Sequence, residues 1–224
     1  MHGNYPIGKI LNIMLKEGRD APVFTIGKLV RENPYRSLIF TILSARAKDA
    51  NTIKVCRKLF KEYPTVQKLA KADRKKVEKL IYGIGFYKQK SKYITKAAKM
   101  VVKDFNGKLP DSMEELVKLP GVGRKVANIL LIHVHKKDSI AVDVHVHRIS
   151  NRLGWVKTKK PEQTEKELKK KLPKKLWTKV NTAMVAYGQT FCLPRNPKCS
   201  VCKIRRYCGY FAKTALVSSS NHRK

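Results

Sequence analysis

Apolar residues recur every three or four positions along most of this chain, in runs closed by proline or glycine. That spacing puts the apolar side chains on one face of a helix, so the runs are read as amphipathic α-helices. The segments are Ser37–Ala47, Asn51–Tyr63, Lys75–Tyr82, Lys88–Asp104, Met113–Lys118, Arg124–His135, Asp143–Leu153, Glu162–Leu172 and Thr178–Phe191. Ile7, Ile10, Leu11 and Met14 mark a further helix near the start. Breaks are expected at Pro22, Pro34, Pro64, Gly83, Gly85, Pro110, Pro120, Gly154, Pro161 and Pro173. No run alternates with period two between hairpin turns, so the expected fold is all-α. Lys213–Lys224, with three consecutive serines and no apolar period, is read as a disordered tail. Cys56 lies inside an apolar-periodic run and is expected to be a small buried hydrophobe.

Length and composition add limits. At 224 residues and 42% hydrophobic content the chain can bury a core as one large domain or two small lobes. Charge changes the picture more. Lysine and arginine number 50 against 16 acids, a formal charge of +34. Ion-pair networks of heat-adapted proteins need Glu in numbers close to Lys, which this chain lacks, so the surface calls for a polyanion. Nucleic acid is preferred to an anionic membrane, since no stretch approaches 18 apolar residues. A monomeric intracellular protein of the cytoplasm or nucleoid, with no membrane association, is expected.

Candidate chemistry starts at Leu119-Pro120-Gly121-Val122-Gly123, between two predicted helices. Gly121 and Gly123 permit positive φ and leave backbone amides bare, and with the following helix N-terminus and Arg124 they form a cradle for one phosphate. A plain helix-to-helix turn is the alternative. Lys125 follows in the first turn of a helix apolar nearly all round. Partial burial and the helix dipole would both favour its free amine, a nucleophile towards carbon. Another phosphate contact is the competing reading. Asp143 is a lone acid in an apolar and basic stretch, suited to capping a helix and to accepting a proton. His145 and His147 stand two apart and would diverge, which opposes a shared metal; His145 and Arg148 are taken as DNA contacts.

Four cysteines close the sequence, Cys192, Cys199, Cys202 and Cys208, with six, two and five residues between them. One short thiolate-bearing segment suits an iron-sulfur cluster or a tetrahedral metal. Structural zinc normally takes two close pairs, and Cys199 with Cys202 is the one such pair here, so the spacing favours iron and sulfide. Zinc and disulfides stay open as alternatives.

Taken in order, Leu-Pro-Gly-Val-Gly-Arg-Lys at 119–125, Val-Asp-Val-His-Val at 142–146 and the cysteine quartet resemble the endonuclease III family of DNA glycosylases, within the helix-hairpin-helix superfamily. Ile39–Asp49 and Ile84-Gly85-Phe86-Tyr87 are weaker echoes, and the resemblance spans about residues 25 to 210. It implies two helical lobes with a DNA-binding cleft between them. The six-helix lobe would take residues 27–136, the 4Fe-4S lobe residues 1–26 with 137–212, and the tail 213–224. It further implies a bifunctional enzyme acting on double-stranded DNA with damaged bases or abasic sites. Lys125 would attack the sugar C1′, Asp143 would assist, and β-elimination would nick the strand. Phe86 matches the family's apolar wedge, and Arg46 stands where glutamine is commoner in the family. A structural 4Fe-4S cluster on the four cysteines would hold Arg195 and Lys198 towards phosphates. A monofunctional mismatch glycosylase, or a protein that grips DNA without cutting it, are the alternatives.

Overall fold

A computed structural model of the chain describes residues 6–30 and 33–220. Every regular element among them is helical. In chain order these are α1 (Ile7–Glu17), α2 (Pro22–Val30), α3 (Pro34–Ser44), α4 (Asp49–Glu62), α5 (Val66–Ala70), α6 (Arg74–Leu80), α7 (Tyr87–Asp104), α8 (Met113–Leu116), α9 (Arg124–His133), α10 (Val144–Leu153), α11 (Pro161–Lys171), α12 (Trp177–Thr190) and α13 (Gly209–Ser220). The chain divides into two compact units, residues 25–139 and residues 1–24 with 140–224.

The middle unit is built on α3. Asn33 starts it by accepting a hydrogen bond from the Arg36 N–H, and Pro34 occupies its first position, where a missing N–H costs nothing. Tyr35, Leu38, Ile39, Phe40, Ile42 and Leu43 are all buried on it, so this helix is the centre of a core against which α4, α7 and α9 pack. Caps set the shorter helices: Thr65 accepts from Lys68 N–H, Asp73 from Lys76 N–H, and Ser112 from Glu115 N–H. Cys56 is fully buried in this core, and burial pushes its thiol pKa up to about 12. It is therefore an inert apolar group, as its periodicity implied.

The other unit joins the two ends of the chain. Ile10, Leu11 and Met14 of α1 pack with Val180, Ala183, Met184 and Tyr187 of α12, and α10 adds Val146, Ile149 and Leu153. Gly18 lies so close to Ala186 that an added Cβ would come within 2.9 Å of the alanine Cβ. The end of α1 is thereby seated tightly against α12.

Two sequence expectations change. Pro22, Pro34 and Pro161 stand in the first turn of α2, α3 and α11 rather than between helices, because the first turn needs no N–H from them. The tail expected over 213–224 is helical to Ser220, since the chain carries no Gly or Pro from 210 to 220 and the serines alone do not stop a helix. Residues 221–224 lie outside the described residues.

Candidate nucleic-acid interface and reaction residues

The hairpin lies between α8 and α9. Gly121 adopts φ 83°, and a Cβ there would meet Tyr93 Cβ at 3.0 Å and Ile42 Cγ2 at 3.1 Å, so shape and conformation both demand glycine. Gly123 has φ −92° and ψ 178°, caps α9 without a side chain, and would place a Cβ in open space. Its lack of a side chain leaves the α9 N–H groups uncovered, a ready anion site. Arg124 and Lys125 follow, both exposed. The partial burial expected at Lys125 is absent: Val126, Ala127 and Leu130 fill the core, and position 125 falls on the outer face of the helix. What remains of the expectation is its place in the first turn of α9. Asn128 on the same helix accepts a short hydrogen bond from the Ser139 hydroxyl, fixing the segment that leaves α9.

Arg46 and Phe86 lie on neighbouring loops of the same unit. Both are non-glycine residues with positive φ, 52° and 59°, and Phe86 is 65% exposed. The exposure expected of a wedge is therefore present. Tyr82 stands beside this loop, 71% exposed, with its ring edge-on to Tyr87 at 5.2 Å.

Asp143 is the N-cap of α10. Its Oδ1 accepts from the backbone N–H of both His145 and Val146, each at 2.9 Å, which fixes the half-buried carboxylate. The segment before it is held by Asn181, whose Nδ2 donates to the Ala141 carbonyl at 2.9 Å. His145 and His147 diverge as expected. His147 Nδ1 meets Thr164 Oγ1 at 2.6 Å, while the His145 ring packs on Gly188 so closely that any Cβ at 188 would collide with it.

Arg148, expected to contact DNA, also makes hydrogen bonds within the protein. Its Nε and Nη2 donate to the Cys192 carbonyl at 3.2 and 2.7 Å, Nη2 also reaches Gly188 O, and Nη1 faces Val144 O. The end of α12 exposes orphan carbonyls, and Arg148 satisfies them, which ties α10 to the first cysteine. Arg195 and Lys198 are exposed on the following loop, with Lys198 Nζ 5.9 Å from the centre of the Phe191 ring.

All four terminal cysteines line a single cavity, together with Ile149, Arg152, Leu153 and Tyr187. Sequence reasoning missed two of its polar walls. Arg152 Nη1 donates to Cys192 Sγ at 3.3 Å and to Leu193 O at 2.7 Å, and the buried Tyr187 hydroxyl lies 3.2 Å from Cys202 Sγ. No local pattern marks either residue; both sit one turn from apolar core positions. Burial, aided by the neighbouring Cys202 and Cys192, raises the Cys199 pKa, and burial raises that of Cys208. Metal binding there must displace protons. Among the described residues no three His, Cys, Asp or Glu side chains gather tightly enough to hold one metal ion. Four thiols on one cavity are a donor set that suits an iron-sulfur cluster or a tetrahedral metal.

The chain is similar to known proteins over most of its length. Residues 39–174 match the HhH-GPD superfamily of base excision DNA repair proteins. The endonuclease III of Thermotoga maritima is 50% identical over 181 residues, covering 81% of this chain and 85% of its own. That of Synechocystis is 38% identical over 79% of this chain and 81% of its own. Among solved structures, a trapped covalent endonuclease III–DNA intermediate with an estranged adenine superposes with TM-score 0.84 at 34% identity. It matches over 96% of this chain and all of the other. The chain, with its glycine hairpin, capped aspartate and cysteine-lined cavity, belongs to the endonuclease III family.

Proposed function

We propose that Lys125 is the nucleophile and Asp143 the proton acceptor with which this protein releases oxidised pyrimidines from double-stranded DNA and then cuts the strand at the abasic site. As an endonuclease III family member the chain is a DNA N-glycosylase and abasic-site lyase of base excision repair. The observation that carries the residue assignment is an exposed primary amine in the first turn of α9, directly after a hairpin whose bare amides suit a DNA phosphate.

The chemistry then follows from the groups. Lys125 in its amine form bonds to C1′, the glycosidic electron pair leaves with the base, and the amine proton passes to a carboxylate, the role given to Asp143. Positive charge growing on the sugar is stabilised by the same carboxylate, held rigid by its two backbone hydrogen bonds. Ring opening leaves a Schiff base. Loss of a C2′ proton then expels the 3′ phosphate oxygen, and hydrolysis frees Lys125. A stacked base hides its sugar bond, so the nucleotide is flipped out; Phe86 fills the gap and Arg46 faces the opposite strand, where arginine favours guanine edges.

Gly121, Gly123, Arg124, Arg195 and Lys198 supply phosphate contacts, and His145 borders Asp143. Cys192, Cys199, Cys202 and Cys208 would hold a 4Fe-4S cluster, which supplies a rigid support for the Arg195–Lys198 loop. The enzyme acts as a monomer on the DNA of the cytoplasm or nucleoid. Among the described residues no helix is long and apolar enough to cross a membrane.

Borohydride trapping on a duplex with one abasic site tests the assignment. A covalent protein–DNA adduct is expected, and Lys125→Ala should abolish it. Base release without any adduct would move the protein to the monofunctional reading.

A further inference from the structure

Arg46 and Phe86 hold a left-handed backbone that residues with a Cβ rarely adopt, at φ 52° and 59°. Such conformations persist when surrounding structure over-determines them. The two loops meet directly: a Cβ on Gly85 would lie 3.6 Å from the Arg46 carbonyl oxygen. Beneath both loops is Lys90, 5% exposed. Its Nζ donates to the Leu43 carbonyl at 2.8 Å, in the last turn of α3, two residues before the Arg46 loop opens. Its own backbone N–H donates to the Phe86 carbonyl at 2.9 Å, closing the first turn of α7. One residue therefore grips the end of the helix that leads to Arg46 and the start of the helix that follows Phe86.

A buried lysine is a costly way to fill apolar space, and burial lowers the pKa of this one. The carbonyl it meets lies at the negative end of α3, where an ammonium group is favoured. A methionine would pack the same volume but could not hold a carbonyl. The bond to Leu43 is what lysine adds.

We infer that Lys90 is a positioning residue for base excision, locking the Arg46 and Phe86 loops together so that they enter the duplex as one rigid unit. The inference rests on the reading of Phe86 as wedge and Arg46 as its neighbour on the opposite strand. With Lys90 in place the strain at both residues is held before DNA arrives, so no binding energy is diverted to ordering the loops. Without it the duplex is still gripped through phosphates, but the gap behind the flipped nucleotide is filled slowly or not at all.

The test uses the full-length, cluster-loaded protein and a duplex carrying 2-aminopurine opposite a stable abasic analogue. Fluorescence of that base reports insertion of the loops, and steady-state release of an oxidised pyrimidine reports catalysis. Lys90→Met should bind within about twofold of the parent, lose at least half of the fluorescence change, and drop kcat about ten- to a hundredfold with KM little altered. Lys90→Arg should restore most of both signals. A parental fluorescence change and kcat in Lys90→Met, with only a lower Tm, would overturn the inference and leave Lys90 a support of the fold. If Lys90→Met does not fold, Lys90→Gln, which keeps a donor but lacks the reach, takes its place with the same readouts. Phe86→Ala and Arg46→Ala are run in parallel. Should they leave the fluorescence change intact, the wedge reading itself fails and this inference falls with it; should they abolish it while Lys90→Met does not, Lys90 alone is excluded.

Discussion

Asp143 joins two tasks in one carboxylate, and they can be separated by a single atom. Asparagine caps a helix about as well as aspartate, so Asp143→Asn should cost no more than about 1 kcal/mol of stability. It has no charge and takes up no proton, so single-turnover base release should fall by roughly 10²- to 10⁴-fold. A variant that loses stability and keeps its rate would reduce Asp143 to a cap. At this scale the sequence was readable where chemistry is local: Asp143 as a cap, Cys56 as a core group, the divergence of His145 and His147. It was unreadable where the partner is distant. Arg148 gave no sign that its guanidinium meets Cys192 44 positions away, nor Lys90 that its amine meets Leu43. Lys125 is exposed because the helix turns it outward, a phase that flanking apolar residues did not settle.

Among the elements, the hairpin shows two glycines kept for different reasons. Gly121→Ala forces an L-residue to φ 83° against Tyr93 and Ile42, and should lower unfolding free energy by about 1–3 kcal/mol, measured by urea titration. Gly123→Ala meets nothing within 4 Å, so its stability should stay near the parent's while its methyl weakens DNA binding. Equal stability losses in the two would contradict this division. Helix positions were legible because apolar residues recur every three or four positions in the long helices; the nine expected segments end within a few residues of α3, α4, α6–α12. Short α5 escaped because five residues are too few to show a period, although its Thr65 cap and its packing on α7 hold it firmly. The proline-led starts escaped because proline was read as a break.

Over the whole molecule, charge and acid response are the measurable properties. Binding to undamaged duplex should weaken steeply with salt, and replacing both Arg195 and Lys198 by alanine should reduce the log–log slope by roughly 1.8, about 0.9 for each phosphate lost. An unchanged slope would remove that loop from the interface. Burial holds the His135 pKa below its ordinary value of 6.5, against the pull of Asp111. The folded protein thus binds this proton less readily than the unfolded chain, so stability rises with pH through this range and is lost as pH falls below about 6.5. The urea midpoint should drop between pH 7 and 5.5, and His135→Gln should flatten part of that drop. The division into units has its own consequence, because one of them is assembled from opposite ends of the polypeptide. As the ribosome makes the protein, α1 emerges ahead of α12 yet cannot bury Ile10, Leu11 and Met14 against it until more than 150 residues later. A helix made well before its partner thus waits with its apolar face unsheltered while the whole middle unit is synthesised.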